Sequence, residues 1–194
     1  MHIGYIKIKR YIDFVLALNA LAALLPIMLI IGLLVWLDDP GMIIFRQKRV
    51  GAGGRHFQML KFRTMKRDTP KNVPTHLLQN PEIYVTRIGR LLRRTSLDEL
   101  PQIWNILLGD MAIVGPRPAL WNQYDLIALR ERTGAGKLRP GLTGLAQIKG
   151  RDELPIRVKA KYDAIYANNI SPYTDLCIII ITLQRVISGR GIRR

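Results

Sequence analysis

Phe14–Leu37, FVLALNALAALLPIMLIIGLLVWL, is a run of 24 residues without a charge, Asn19 being the most polar. At about 1.5 Å per residue, a straight helix of this length would cross the ~30 Å hydrocarbon layer of a bilayer. Pro26 stands at its centre, where it removes one helical hydrogen bond and bends or breaks a helix. Both flanks are basic, with Lys7, Lys9 and Arg10 before and Arg46, Lys48, Arg49 and Arg55 after. A crossing helix prefers its positive flank on the cytoplasmic side only. The reading that satisfies both observations is a helix-break-helix hairpin that dips into one leaflet and returns, turning at Pro26. A kinked single span is the alternative, since proline is common in membrane helices. A cleaved secretory signal fits less well, because the run is long and no small-residue cleavage site follows it.

Working outward, Asp38-Asp39-Pro40-Gly41 is a dense turn signal that ends the apolar segment. It divides the chain into an anchor, 1–40, and a second domain, 41–194, large enough for a modest core of its own. Thirty Lys and Arg against fourteen Asp and Glu leave +16, which favours polyanions or anionic lipid as partners. Cys177 is the single cysteine, so an internal disulfide framework is excluded; its apolar neighbours predict a buried structural thiol. Ile43–Arg49 and Phe57–Phe62, separated by Gly51-Ala52-Gly53-Gly54, predict a small β-hairpin. Lys66–Glu82, with three prolines, reads as a loop, either a lid over a site or a surface connection. Helical spacing then predicts elements over 96–108, 120–132, 155–167 and 173–188, the last too short to cross a bilayer and suited to its interface. The fold class expected is α+β and mostly helical.

Ser96-Leu97-Asp98-Glu99 has the spacing of a capping box, which would explain both acids structurally. A helix start also attracts phosphates, and two adjacent carboxylates repel unless a divalent cation or an electrophile compensates them. An aspartate can attack phosphorus while a neighbouring glutamate takes or gives a proton. Displacement at a diphosphate needs surrounding cations, and Lys61, Arg63, Arg93, Arg94, Arg117, Arg139 and Arg151 are candidates. Arg117 stands out, because Pro116 and Pro118 limit its backbone and an ordered guanidinium grips phosphate oxygens bidentately. Gly141 and Gly144 could let backbone approach a phosphate, but they lack the lysine of a P-loop. His2, His56 and His76 have no metal-ligand spacing, which leaves magnesium on a carboxylate and substrate phosphate as the metal to expect.

Taken in order, Lys61-Phe62-Arg63-Thr64-Met65, Ser96-Leu97-Asp98-Glu99-Leu100-Pro101-Gln102, Gly109-Asp110-Met111, Val114-Gly115-Pro116-Arg117-Pro118 and Arg139-Pro140-Gly141-Leu142-Thr143-Gly144 resemble the bacterial sugar transferases, the monotopic phosphoglycosyl transferases in their minimal form. Gln147, Gly150-Arg151, Tyr162-Asp163 and the stretch from Asn169 to Asp175 continue the match. The resemblance implies a re-entrant helix broken at Pro26 and a catalytic domain on the cytoplasmic face of the bacterial inner membrane. It implies transfer of a sugar 1-phosphate from a UDP-sugar to polyprenyl (undecaprenyl) phosphate, with Mg2+ and release of UMP. This would be the first membrane step of an exopolysaccharide, capsule, O-antigen or glycoprotein pathway. By the same resemblance Asp98 is the nucleophile that forms a covalent phosphosugar and touches magnesium, and Glu99 is its acid/base neighbour. Lys61, Arg93, Arg117, Pro118, Arg151 and Asp175 shape the phosphate and nucleotide site. The family often has Ser before the helix-breaking proline, where this chain has Leu25.

Partners follow from this: a UDP-sugar, polyprenyl phosphate and an anionic phospholipid surface. Oligomeric state stays open, a homodimer being one candidate, and the sugar is not legible. Two rival readings remain, a membrane-tethered nucleic-acid binder motivated by the charge and a non-catalytic scaffold of the same fold. Few aromatics and no recognisable binding module argue against nucleic acid.

Overall fold

The computed structural model describes residues 3–67, 69, 81–150 and 154–188. Helix α1, Ile3–Asp38, runs for 36 residues and continues through Pro26. The break expected there is therefore not a change of secondary structure; the proline lies on the exposed side of the helix. On its other side, Lys9, Asp13, Ala17, Ile31 and Val35 are buried, with Ala20, Leu21, Leu24 and Met28 partly so. These positions recur at intervals of three and four, one stripe of a helix. The stripe packs on the rest of the chain, while Val15, Leu18, Leu29, Leu33 and Leu37 stay exposed opposite it.

The expected hairpin forms. Strands β1, Ile44–Val50, and β2, His56–Phe62, pair antiparallel from Ile44 opposite Phe62 to Val50 opposite His56. Their connection uses Gly53 and Gly54 in the left-handed region that glycine tolerates best. Helix α2, Arg87–Thr95, follows residues 81–84, which form one 3-10 turn. The lid reading of Lys66–Glu82 falls largely on 68 and 70–80, outside the described residues. Helix α3, Gln102–Leu108, leads to β3, Ala112–Val114, then β4, Ala119–Leu120, and α4, Tyr124–Arg132. Strand β5, Gly141–Thr143, is followed by α5, Leu145–Lys149, α6, Ile156–Asn168, and α7, Pro172–Ser188. The sheets are small: β2-β1-β4, and a parallel pair of β3 with β5.

Strand β2 is an edge, and an edge leaves backbone donors and acceptors unpaired. Asn105 of α3 closes it, accepting from the Leu60 amide at 2.9 Å and donating to the Gln58 carbonyl at 2.8 Å. This pins α3 beside the hairpin. Ala17 of α1 then joins Phe57, Met59, Ile103, Ile106 and Met111 in one apolar cluster, while Ile31 and Val35 join Phe62 and Leu92 in another. A third cluster gathers Val114, Leu138, Ile148, Tyr166, Ile170 and Ile178. Gly141 and Gly144 press on the backbone of Gly115 so closely that a Cβ would overlap it. Their smallness serves the close passage of the β5 segment beside Gly115. Cys177, expected to be enclosed, is only half-buried.

Both ends of α1 are tied to the same body. Near the N-terminus, Lys9 Nζ lies 2.8 Å from Asp175 Oδ2, and the Tyr5 hydroxyl donates to that oxygen at 2.8 Å. Arg10 donates to the Leu107 carbonyl and to the Ile106 carbonyl, which also accepts from the Gly109 amide at the end of α3. At the other end, Asp38 accepts from the Ile88 amide at 2.9 Å, and Asp39 pairs with Arg63 at 3.1 Å.

Candidate active site

The two acids do not sit on an α-helix. Helix α2 ends at Ser96, which has φ 58° and makes no side-chain cap, so the expected capping box is not formed. Leu97–Glu99 instead make a 3-10 turn closed by the Glu99 amide on the Ser96 carbonyl, 3.2 Å. The turn reverses the chain between α2 and α3 and holds Asp98 and Glu99 at the hairpin. Lys61, on the last turn of pleat in β2, meets them there: its Nζ is 2.8 Å from Glu99 Oε1 and 4.0 Å from Asp98 Oδ2. Arg117 Nη2 approaches the same Glu99 oxygen at 3.5 Å. One carboxylate thus gathers two cations beside a second carboxylate.

The segment carrying Arg117 is fixed by its carbonyls. Arg130 donates to the Arg117 carbonyl and Arg49 to the Pro118 carbonyl, each at 2.9 Å. Arg130 is itself buried and paired to Asp163 at 2.7 Å. Burial raises the Asp163 carboxyl above its ordinary range, and the Arg130 charge opposes that. Arg93 donates to Thr64 at 2.9 Å; burial lowers its guanidinium from the ordinary value, while the charges of Asp98 and Glu82 work the other way. An arginine held within the field of Asp98 can still grip a phosphate.

Lys61, Arg93, Asp98, Arg117 and Pro118 line one open cleft of about 2910 Å³. Glu99 lies behind its wall, tied to Lys61 and Arg117. Arg151 is outside the described residues. Asp175 is not brought to the cleft: it is 6% exposed and bonded to Lys9, Tyr5 and the Tyr166 hydroxyl, the last at 2.7 Å. Burial, then Asp175, raises the Tyr166 hydroxyl far above its ordinary range, so it stays a donor. Arg49, Arg130 and Thr64 were missed as parts of the site. Arg49 and Arg130 read only as polar residues within a strand and a helix and Thr64 as a residue just past β2, and their roles depend on partners distant in the chain.

Among the described residues no three His, Cys, Asp or Glu side chains gather to hold a metal. Asp98 is the carboxylate of the pair that lines the cleft, and one carboxylate completed by phosphate oxygens and water is a donor set that fits magnesium.

A family model described as bacterial sugar transferase matches residues 4–189. The exopolysaccharide production protein ExoY of Sinorhizobium fredii is 37% identical over 94% of this chain and 87% of its own length. The UDP-glucose:undecaprenyl-phosphate glucose-1-phosphate transferase of Xanthomonas campestris is 39% identical over 96% of this chain and 40% of its own. The UDP-N-acetylgalactosamine-undecaprenyl-phosphate N-acetylgalactosaminephosphotransferase of Aeromonas hydrophila is 34% identical over 97% and 46%. The chain thus spans most of one relative and less than half of the other two.

Proposed function

The chain belongs to the bacterial sugar transferase family, and from that premise we propose that it moves a hexose 1-phosphate from a UDP-sugar to polyprenyl phosphate at the cytoplasmic face of a bacterial inner membrane. The observation that carries this reading is the meeting of Asp98, Lys61 and Arg117 at one cleft, with Glu99 pairing both cations from behind its wall. Relatives of comparable identity are named for glucose and for N-acetylgalactosamine, so the proposal is of a UDP-hexose as a class.

In the first step a carboxylate oxygen of Asp98 attacks the sugar-bearing phosphorus of the donor. The bond from that phosphorus to the bridging oxygen breaks, and UMP leaves with the electron pair. In the second, a phosphate oxygen of the lipid acceptor attacks the same phosphorus and Asp98 leaves as carboxylate. Lys61 and Arg117, fixed by Glu99, face the charge that grows on the phosphoryl oxygens in both steps. Glu99 is the neighbouring carboxylate that orders both cations from behind the cleft wall. Asp98 would hold magnesium together with donor phosphate, and the ion would supply charge neutralisation there.

The anchor reading draws support from the ties at both ends of α1. A helix whose start is bonded to Asp175 and whose end is bonded to Ile88 and Arg63 keeps both ends on the side of the domain. Its free apolar face then lies in one leaflet, and the acceptor phosphate meets Asp98 at headgroup level. A cysteine placed near Met1, in a Cys177→Ser background, is expected to resist an impermeant reagent applied from outside the cell. Labelling from outside would establish a span.

Activity is tested by release of UMP from a panel of UDP-hexoses with undecaprenyl phosphate in vesicles. Asp98→Asn is expected to abolish release and the sugar-phosphate adduct seen by mass spectrometry. Normal turnover by that variant would refute the covalent route.

A further inference from the structure

We infer that Arg87 and Arg90 capture the phosphate of a lipid phosphomonoester, so that the acceptor reaches Asp98 along α2. The inference rests on the transfer reaction proposed above and names where its second substrate enters. Arg87, Arg90 and Arg93 stand three residues apart on one helix and all line the cleft. From Arg87 to Arg93 the axis advances about 9 Å at the α-helical rise. The row has a membrane end and a chemical end. At the first, the amide of Ile88, next to Arg87, is capped by Asp38, the last residue of α1. At the second, Arg93 feels the charge of Asp98.

Helix α2 cannot easily shift along this line. The Thr86 hydroxyl caps the Gly89 amide at 2.9 Å, and Gly89 lies so close to the Thr64 backbone that a Cβ would overlap it. Ile88 and Leu92 pack on Ile31 and Val35 of α1. The guanidinium groups of Arg87 and Arg90 are exposed and make no ion pair or hydrogen bond among the described residues. Three carboxylates line this side of the cleft: Asp38 accepts from the Ile88 amide, Asp39 pairs with Arg63 and accepts from the Arg67 amide, and Glu82 acts on Arg93.

The lining at this end selects the kind of phosphate. Met42 and Ile83, 75% and 62% exposed, line the cleft together with the two arginines. Cations beside exposed apolar side chains at the exit of a membrane helix suit an anionic head with a hydrocarbon tail. A nucleotide would leave Met42 and Ile83 facing water. The same chemistry could come from the acceptor or from bulk anionic phospholipid, and the experiment separates them.

Full-length Arg87→Gln, Arg90→Gln and double variants are compared with wild type in phosphatidylcholine vesicles containing undecaprenyl phosphate and a UDP-hexose that the wild type uses. The acceptor KM of the double variant is expected to rise about tenfold or more, since each arginine would supply a charge-assisted bond to phosphate. Donor KM and the burst of UMP without acceptor should hold, and the paired Lys variant should recover part of the loss. A rise in donor KM with acceptor KM unchanged would overturn the inference in favour of a nucleotide phosphate site. Weaker binding to phosphatidylglycerol vesicles with acceptor KM unchanged would overturn it in favour of a headgroup contact. Absence of the acceptor-free burst in wild type would sink the covalent route alone, leaving the acceptor KM comparison to judge the arginines.

Discussion

Asp163 shows how far from the chemistry a single side chain can act. It neutralises Arg130, which in turn holds the Arg117 carbonyl. Asp163→Asn keeps the shape but leaves a buried guanidinium uncompensated, at a cost of roughly 3–5 kcal/mol. Thermal unfolding in detergent should fall by roughly 10 °C, given about 2–4 °C per kcal/mol for a chain of this size. Residual folded protein should release UMP more slowly, as Arg117 loses its support. An unchanged melting temperature would mean that water replaces the pair. At this scale the candidate residues were legible by charge alone: the structure brings all four of Asp98, Glu99, Lys61 and Arg117 together. Asp175 was legible only as a charge. Its partner Tyr5 stands 170 positions away in the chain, and no local spacing encodes such a contact.

Among the elements, the hairpin was readable because a glycine-rich turn separates two runs of strand-forming residues, both local features. The turn at Asp98 was not. Ser96 and Glu99 carry the residue types of a helix start, yet α2 runs into Ser96 from the other side and leaves it in the left-handed region. Packing of Leu92 between Phe62 and the α1 stripe decides where α2 lies, and that outweighs a cap preference of about 1 kcal/mol. Gly89 tests this packing. Gly89→Ala adds a methyl where the Thr64 backbone already is, and helix propensity alone would favour it by about 1 kcal/mol. The expected result is net destabilisation of about 1–3 kcal/mol by denaturant unfolding, with Arg93 drawn off Thr64 and a higher donor KM. A stabilised variant would show that α2 floats on the hairpin.

For the whole molecule, α1 is both anchor and wall. Its charge-free run announced the bilayer, whereas the stripe that covers Phe57, Ile103 and Phe62 was hidden because both faces of the helix are apolar. The exposed face can be altered alone. Leu29→Asp with Leu33→Asp should release the protein from vesicles in sedimentation, at about 2.5–3.5 kcal/mol per aspartate placed deep in lipid. The circular dichroism of the remainder should stay intact; retention on vesicles would mean that this face does not meet lipid. The shared wall also sets an order of assembly on the ribosome. Ala17 emerges long before Ile106, so the nascent helix must be sheltered by targeting factors or by the bilayer until its later partners are made. A copy that never reaches a membrane would close those seams yet leave Val15, Leu18, Leu29 and Leu33 open to water, so the usable molecules are those that have been delivered.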